Sequence, residues 1–235
     1  MSSTSEICKR LADVQERVRK ACKRANRNPH EITLVAISKL KPVSDIRDAL
    51  MCGQLHFGEN RTTELNSKAD DLEGQKLVWH YVGTMQTNKI KYLAGRAAWI
   101  HSAYKTKHLK EIDKRLKASG QTADVLLQVN ISRESQKQGL EPSGVEQVLK
   151  SAQSLKNLRV SGLMGMATFA DNPEEVRSEF RLLRNTLLEH RHLNSGSVQL
   201  RELSMGMTND FEVAIEEGAT MIRIGSAIFG ERNGG

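Results

Sequence analysis

The chain has 235 residues, 35 Lys and Arg against 28 Asp and Glu, a net charge of +7, 38% hydrophobic and 27% charged residues. That balance excludes an intrinsically disordered chain, and no apolar run reaches the ~20 residues a membrane-crossing helix needs. Eight of the bases and three of the acids fall within residues 1–30. Aromatics make up only 4% and no nucleic-acid motif is present, so the basic stretch reads as the solvated face of a helix, and nucleic-acid binding is not expected.

Ser3 and Glu6 have the spacing of a capping box, and Ile7, Leu11, Val14, Val18, Ala21 or Cys22, and Ala25 then mark one helical face up to Pro29. The run Ile32 to Ser38 predicts the first strand, buried on both faces, with Lys39 at its end and Pro42 stopping further pairing. Helix Val43–Met51 ends before Gly53. Strand His56–Gly58 and helix Asn60–Leu72 follow, then strand Val78–Val82 and helix Thr87–Leu93, stopped by Gly95. Strand Ala98–His101, helix Lys105–Ala118 closed by Gly120, and strand Asp124–Asn130 come next. Pro142 opens a helix to Ala152, Arg159–Met164 is the sixth strand, and Pro173 starts a long helix to about Arg191. Glu202–Ser204, helix Asp210–Glu217 and strand Met221–Ile224 complete the series.

Eight short apolar strands alternating with helices predict a single-domain α/β protein over residues 1–235, a parallel (β/α)8 TIM-like barrel. The extra N-terminal helix, residues 1–28, is expected to pack on the barrel, because Ser226–Gly235 is too short for a full final helix. An open doubly wound sheet would want a Gly-rich phosphate loop after the first strand, and Ser38-Lys39-Leu40-Lys41-Pro42 is not one. Cys8, Cys22 and Cys52 show no metal spacing. With no apolar signal-peptide core ahead of them they read as reduced thiols of a cytoplasmic protein.

In such a barrel the chemistry sits at the C-terminal ends of the strands. Side chains alternate along a strand, so Lys39 shares a face with Val35 and Ile37 and is expected to rise from the core into the mouth. Burial there would favour a neutral amine able to condense with an aldehyde to a Schiff base. After the last two strands, Ser204 and Ser226 offer hydroxyls, and Gly206 and Gly225 allow close backbone approach: the pattern of a phosphate cradle. Arg223, facing inward, would meet a ring nitrogen as a donor only and keep it unprotonated. Met164, Met166, Met205 and Met207 could wall an aromatic ring or simply fill core, His80 reads first as a structural histidine, and Lys137 lies on the loop after the fifth strand. No metal cluster, acid pair or serine triad emerges.

Several stretches together resemble the pyridoxal phosphate homeostasis proteins: Val35–Lys39, Phe57–Asn60, Trp79–Gly83 with Gln86–Lys89, Gly162–Met164, Leu203–Met207 and Arg223–Gly230. The resemblance implies the alanine racemase N-terminal-domain type of barrel and pyridoxal 5′-phosphate (PLP) as cofactor. It implies Lys39 as the Schiff-base residue, Ser204, Gly206, Gly225 and Ser226 at the phosphate, Arg223 at the ring nitrogen, and Asn60 and Met205 nearby. It further implies a PLP carrier for vitamin B6 homeostasis, without established catalysis, that supplies PLP-dependent apo-enzymes. A PLP-dependent amino-acid racemase or lyase is the alternative. A two-base racemase needs a group on each ring face, and the tyrosine that racemases of this type use comes from an added domain not evident here. A monomer is expected.

Overall fold

Eight parallel strands pair strictly in chain order and close on themselves. The computed structural model describes residues 5–132 and 138–231. The strands are β1 (Thr33–Ile37), β2 (His56–Glu59), β3 (Val78–Tyr81), β4 (Trp99–Ala103), β5 (Ala123–Gln128), β6 (Leu158–Met164), β7 (Val198–Ser204) and β8 (Met221–Ile224). Closure is carried by the β1–β8 register, Thr33 opposite Met221 through Ala36 opposite Ile224. The fold is the expected barrel. β7 starts four residues earlier than the sequence suggests, because Val198 and Leu200 are buried while Gln199 and Arg201 face solvent. That alternation is masked by two long polar side chains.

Helices α1 (Glu6–Arg24), α2 (Val43–Met51), α3 (Thr62–Asp71), α4 (Thr106–Ser119), α5 (Val145–Ala152), α6 (Arg177–His190), α7 (Phe211–Glu216) and α8 (Ser226–Phe229) surround the strands. Thr87–Tyr92 is a 3-10 helix, a tighter turn than the α-helix expected there. α1 buries Leu11, Val14, Val18, Ala21 and Cys22 and packs against α2, α7 and α8, the position expected for the extra helix. Its cap is Ser5, whose Oγ accepts from the Cys8 N–H at 3.3 Å; the anticipated cap Ser3 lies outside the described residues. Part of the basic charge of this helix is spent within the fold. Arg17 pairs with Glu212 at 2.8 Å and Arg24 with Glu216 at 2.7 Å, both on α7.

The expectation of three reduced thiols is corrected by the packing of α1 on α2. It brings Cys8 and Cys52 together as a disulfide, with Cα atoms 5.7 Å apart across 44 residues of sequence, and leaves Cys22 free and buried. Sequence spacing carries no sign of this pair, because it depends on how two helices dock. Among the described residues no helix is long and apolar enough to cross a membrane, and no group of His, Cys, Asp and Glu could hold a metal.

Candidate functional site

The C-terminal ends of the strands enclose a cavity of about 710 Å³, the size range of small-molecule sites. The alternation along β1 holds. Val35 is fully buried, Ile37 and Lys39 line the cavity, and between them Ala36 joins the outer core while Ser38 turns to Glu59. Lys39 is half-buried. Lys41 lines the same cavity, but its Nζ donates to the carbonyls of Phe229 (2.9 Å) and Glu231 (3.0 Å) beyond the end of β8.

Next to β1, the loop after β2 presents Asn60, held close by Gly83: a methyl group at that glycine would drive into the Asn60 carbonyl. The loop after β6 supplies Met166, Ala167, Thr168 and Phe169, the last 75% exposed on the rim. It is tied to α6, where the buried carboxylate of Glu179 accepts from the Thr168 backbone N–H (2.7 Å) and hydroxyl (3.1 Å). Met207, Thr208, Asn209 and Asp210 enter after β7, and Gly225 and Ser226 after β8. The hydroxyls of Ser226 and Thr208 lie 3.4 Å apart on the wall. Burial raises the Asp210 carboxyl, against the Met207 N–H that bonds it and the charge of Arg223.

Arg223 is 5% exposed yet reaches the cavity from β8. Burial pulls its guanidinium down to about 10, so it remains a cation at neutral pH. Nη1 donates to Ser204 Oγ at 2.6 Å and Nη2 to the Gly165 carbonyl at 2.9 Å. Below it, a column of imidazoles threads the barrel interior. Ser204 Oγ meets His101 Nδ1 at 2.9 Å, His101 Nε2 meets His80 Nδ1 at 2.9 Å, and His80 Nε2 meets His56 Nδ1 at 2.9 Å. Arginine can only donate, so Ser204 accepts from it and gives its own proton to His101 Nδ1. Each imidazole then passes a donor to the next, ending at the half-buried His56. Burial holds His101 and His80 well below the ordinary histidine range, with the charge of Arg223 adding to the shift at His101, so both are neutral. The column fixes the Ser204 hydroxyl, and that hydroxyl in turn helps orient Arg223.

Of the residues anticipated at the site, Lys39, Asn60, Arg223, Gly225 and Ser226 share the cavity wall. Three stand behind it. Ser204 is fully buried between Arg223 and His101, Met205 is fully buried in the outer core with its N–H on the Met221 carbonyl, and the Gly206 carbonyl accepts from the Arg223 N–H. They end up behind the wall because β7 runs to Ser204, so ladder bonds and the barrel interior claim these groups first. Met164, Met166 and Met207 line the cavity; Met205 does not. Lys137 lies outside the described residues. Sequence reasoning named Met166 but missed Ala167, Thr168 and Phe169 of the β6 loop, did not place Thr208 at the phosphate, and missed the grip on Lys41. The small-residue run after Met164 and the Thr208-Asn209-Asp210 turn were the available signals.

Residues 10–233 match the family model described as alanine racemase, N-terminal domain. The chain is 43% identical over 225 residues to a pyridoxal phosphate homeostasis protein of Aquifex aeolicus, covering 96% of this chain and 98% of the relative. It is 35% identical over 232 residues to that of Escherichia coli K12, covering 97% and 98%. Among solved structures it is similar to PipY of Synechococcus elongatus PCC7942 with PLP bound (TM-score 0.83, 30% identity, 96% of this chain and 100% of that one). An alanine racemase of Clostridium difficile 630 shares the fold at 13% identity (TM-score 0.67), over 93% of this chain and 58% of the racemase.

Proposed function

The chain belongs to the pyridoxal phosphate homeostasis proteins, and from that premise we propose that it holds PLP reversibly on Lys39 and supplies it to apo-enzymes. The observation that carries this reading is the convergence of Lys39, Arg223 and Ser226 on one cavity. The donor set suits the cofactor. The cavity wall carries a primary amine, a donor-only cation, a pair of hydroxyls beside Gly225, and Met164, Met166 and Met207 as polarizable contact for a ring. When bound, PLP supplies an electrophilic aldehyde on an electron-accepting pyridine. Lys39 would take the aldehyde, Ser226, Thr208 and the Gly225 backbone the phosphate, and Asn60 the ring edge. Ser204, Met205 and Gly206 would shape the site from behind. Arg223 cannot protonate a ring nitrogen, which argues against carbanion chemistry.

The same wall argues against a racemase. Tyr81 donates its hydroxyl to the Thr84 carbonyl at 3.1 Å, Tyr104 meets His108 edge-to-face and Tyr92 is 43% exposed, and none of the three tyrosines lines the cavity. The remaining amine there, Lys41, is committed to two carbonyls. The test is borohydride reduction of the PLP-loaded protein followed by peptide mapping. The pyridoxyl group should be on Lys39; a label mainly on Lys41 refutes the assignment.

A further inference from the structure

Lys39 sits in a four-residue turn, Ser38 to Lys41, closed by the Lys41 N–H on the Ser38 carbonyl at 3.0 Å. The next residue, Leu40, has φ +61°, a left-handed backbone that leucine disfavours and that such turns usually give to glycine. Something must hold this turn, and the neighbouring α3 supplies it. Lys68 is 5% exposed, and its ammonium donates to the Ser38 carbonyl, to Glu59 Oε1 and to Glu64 Oε1, each at 2.7 Å. All three of its protons are thereby used. Glu59 Oε1 also accepts from the Ser38 hydroxyl at 2.7 Å, and Glu64 Oε1 accepts from the Leu40 N–H at 2.5 Å. The residues on both sides of Lys39 are thus pinned, and Lys39 between them lines the cavity.

A buried lysine between two carboxylates is a costly way to stabilise a helix against a barrel, since an apolar trio would often serve as well. Its geometry makes sense as a device for aim. We propose that Lys68, with Glu59 and Glu64, is a positioning group that keeps the Lys39 turn in its left-handed form and so presents the Lys39 amine to an aldehyde in the cavity. This rests on Lys39 being the residue that takes PLP.

The experiment compares two ligands that share ring and phosphate: PLP, whose covalent capture is followed by absorbance, and pyridoxine 5′-phosphate, an alcohol that cannot condense with an amine. In Lys68→Met the capture rate should fall about ten- to a hundredfold, the scale of a misaimed reacting group. Affinity for pyridoxine 5′-phosphate should stay within about twofold, a split that general loosening of the fold would not give. Because Lys68→Met strands Glu59, two further variants guard against misfolding: Lys68→Met with Glu59→Gln, which removes both charges, and Glu64→Ala, at a partly exposed site. Both should show the same split. Adding Leu40→Gly to Lys68→Met should restore part of the rate, since glycine adopts the turn unaided. Wild-type capture in these variants, or equal losses for both ligands, overturns the proposal while leaving the cofactor reading intact. A wild-type protein that captures PLP at another residue overturns the cofactor reading, and this proposal with it.

Discussion

The neutral histidine column makes the protein's stability depend on pH in a window where few other groups titrate. His80 and His101 are fully buried, and burial is the leading cause of their depressed basicity. A histidine in the unfolded chain titrates near 6.5. Above about pH 7 both states hold these imidazoles neutral, and they add no pH dependence. Below 6.5 the unfolded chain binds protons that the folded chain refuses, so stability falls with pH. At pH 5.5, one unit below the unfolded value, two imidazoles that stay neutral in the fold together cost on the order of 3 kcal/mol. His108, lowered to about 4 by burial and by Lys105 and Lys107, acts in the same direction. The depressed carboxyls of Glu216 and Glu217 lose their stabilising effect only at lower pH, through the carboxylate range. Urea unfolding at pH 7.5, 6.5 and 5.5 measures the loss, and nitrogen NMR of the imidazoles assigns it. Stability that stays flat to pH 5.5, or a His80 or His101 resonance titrating near 6.5, would refute the account of the column.

Lys39→Ala should abolish borohydride-stable labelling while retaining weaker, reversible PLP binding, measured by equilibrium dialysis. Thr208→Ala with Ser226→Ala should weaken PLP far more than pyridoxal, which lacks the phosphate. A hydrogen bond to a charged group contributes roughly 1.5–3 kcal/mol, and equal losses for the two ligands would move the phosphate elsewhere. Gly206 has φ +92°, and an added methyl would sit 2.7 Å from Ala214 Cβ and 2.9 Å from Phe211 Cα. Gly206→Ala should therefore cost about 2–5 kcal/mol in urea unfolding, from left-handed strain plus overpacking. Cys52→Ser should lower stability by up to about 4 kcal/mol under oxidising conditions, the loop-entropy scale for this separation, and by little in reductant.

Much of the fold can be read from the sequence because its strands are short apolar runs punctuated by glycine and proline. The β1 strand shows this best: Val35, Ile37 and Lys39 share a face, and that face is the cavity. What escapes sequence reading is set by contacts between distant elements. Lys68 looks like an ordinary solvated helix lysine until α3 docks against the end of β1 and buries it. The histidine column joins residues from β2, β3, β4 and β7, none of which signals its partner. Ser204 was legible as an important hydroxyl but not as one already engaged by Arg223. The same holds for Cys8 and Cys52, whose pairing follows from the docking of α1 on α2.

Reversible custody of PLP without turnover is put to the test by a transfer assay. PLP-loaded protein, half of it reduced with borohydride, is mixed with a PLP-dependent apo-enzyme, and each sample is also given common amino acids alone. The unreduced sample should restore the apo-enzyme's activity, the reduced sample should not, and neither should racemise or eliminate an amino acid. Turnover by the loaded protein in the ordinary enzymatic range of roughly 1–10³ s⁻¹, abolished by Lys39→Ala, would contradict the claim and make the protein an enzyme.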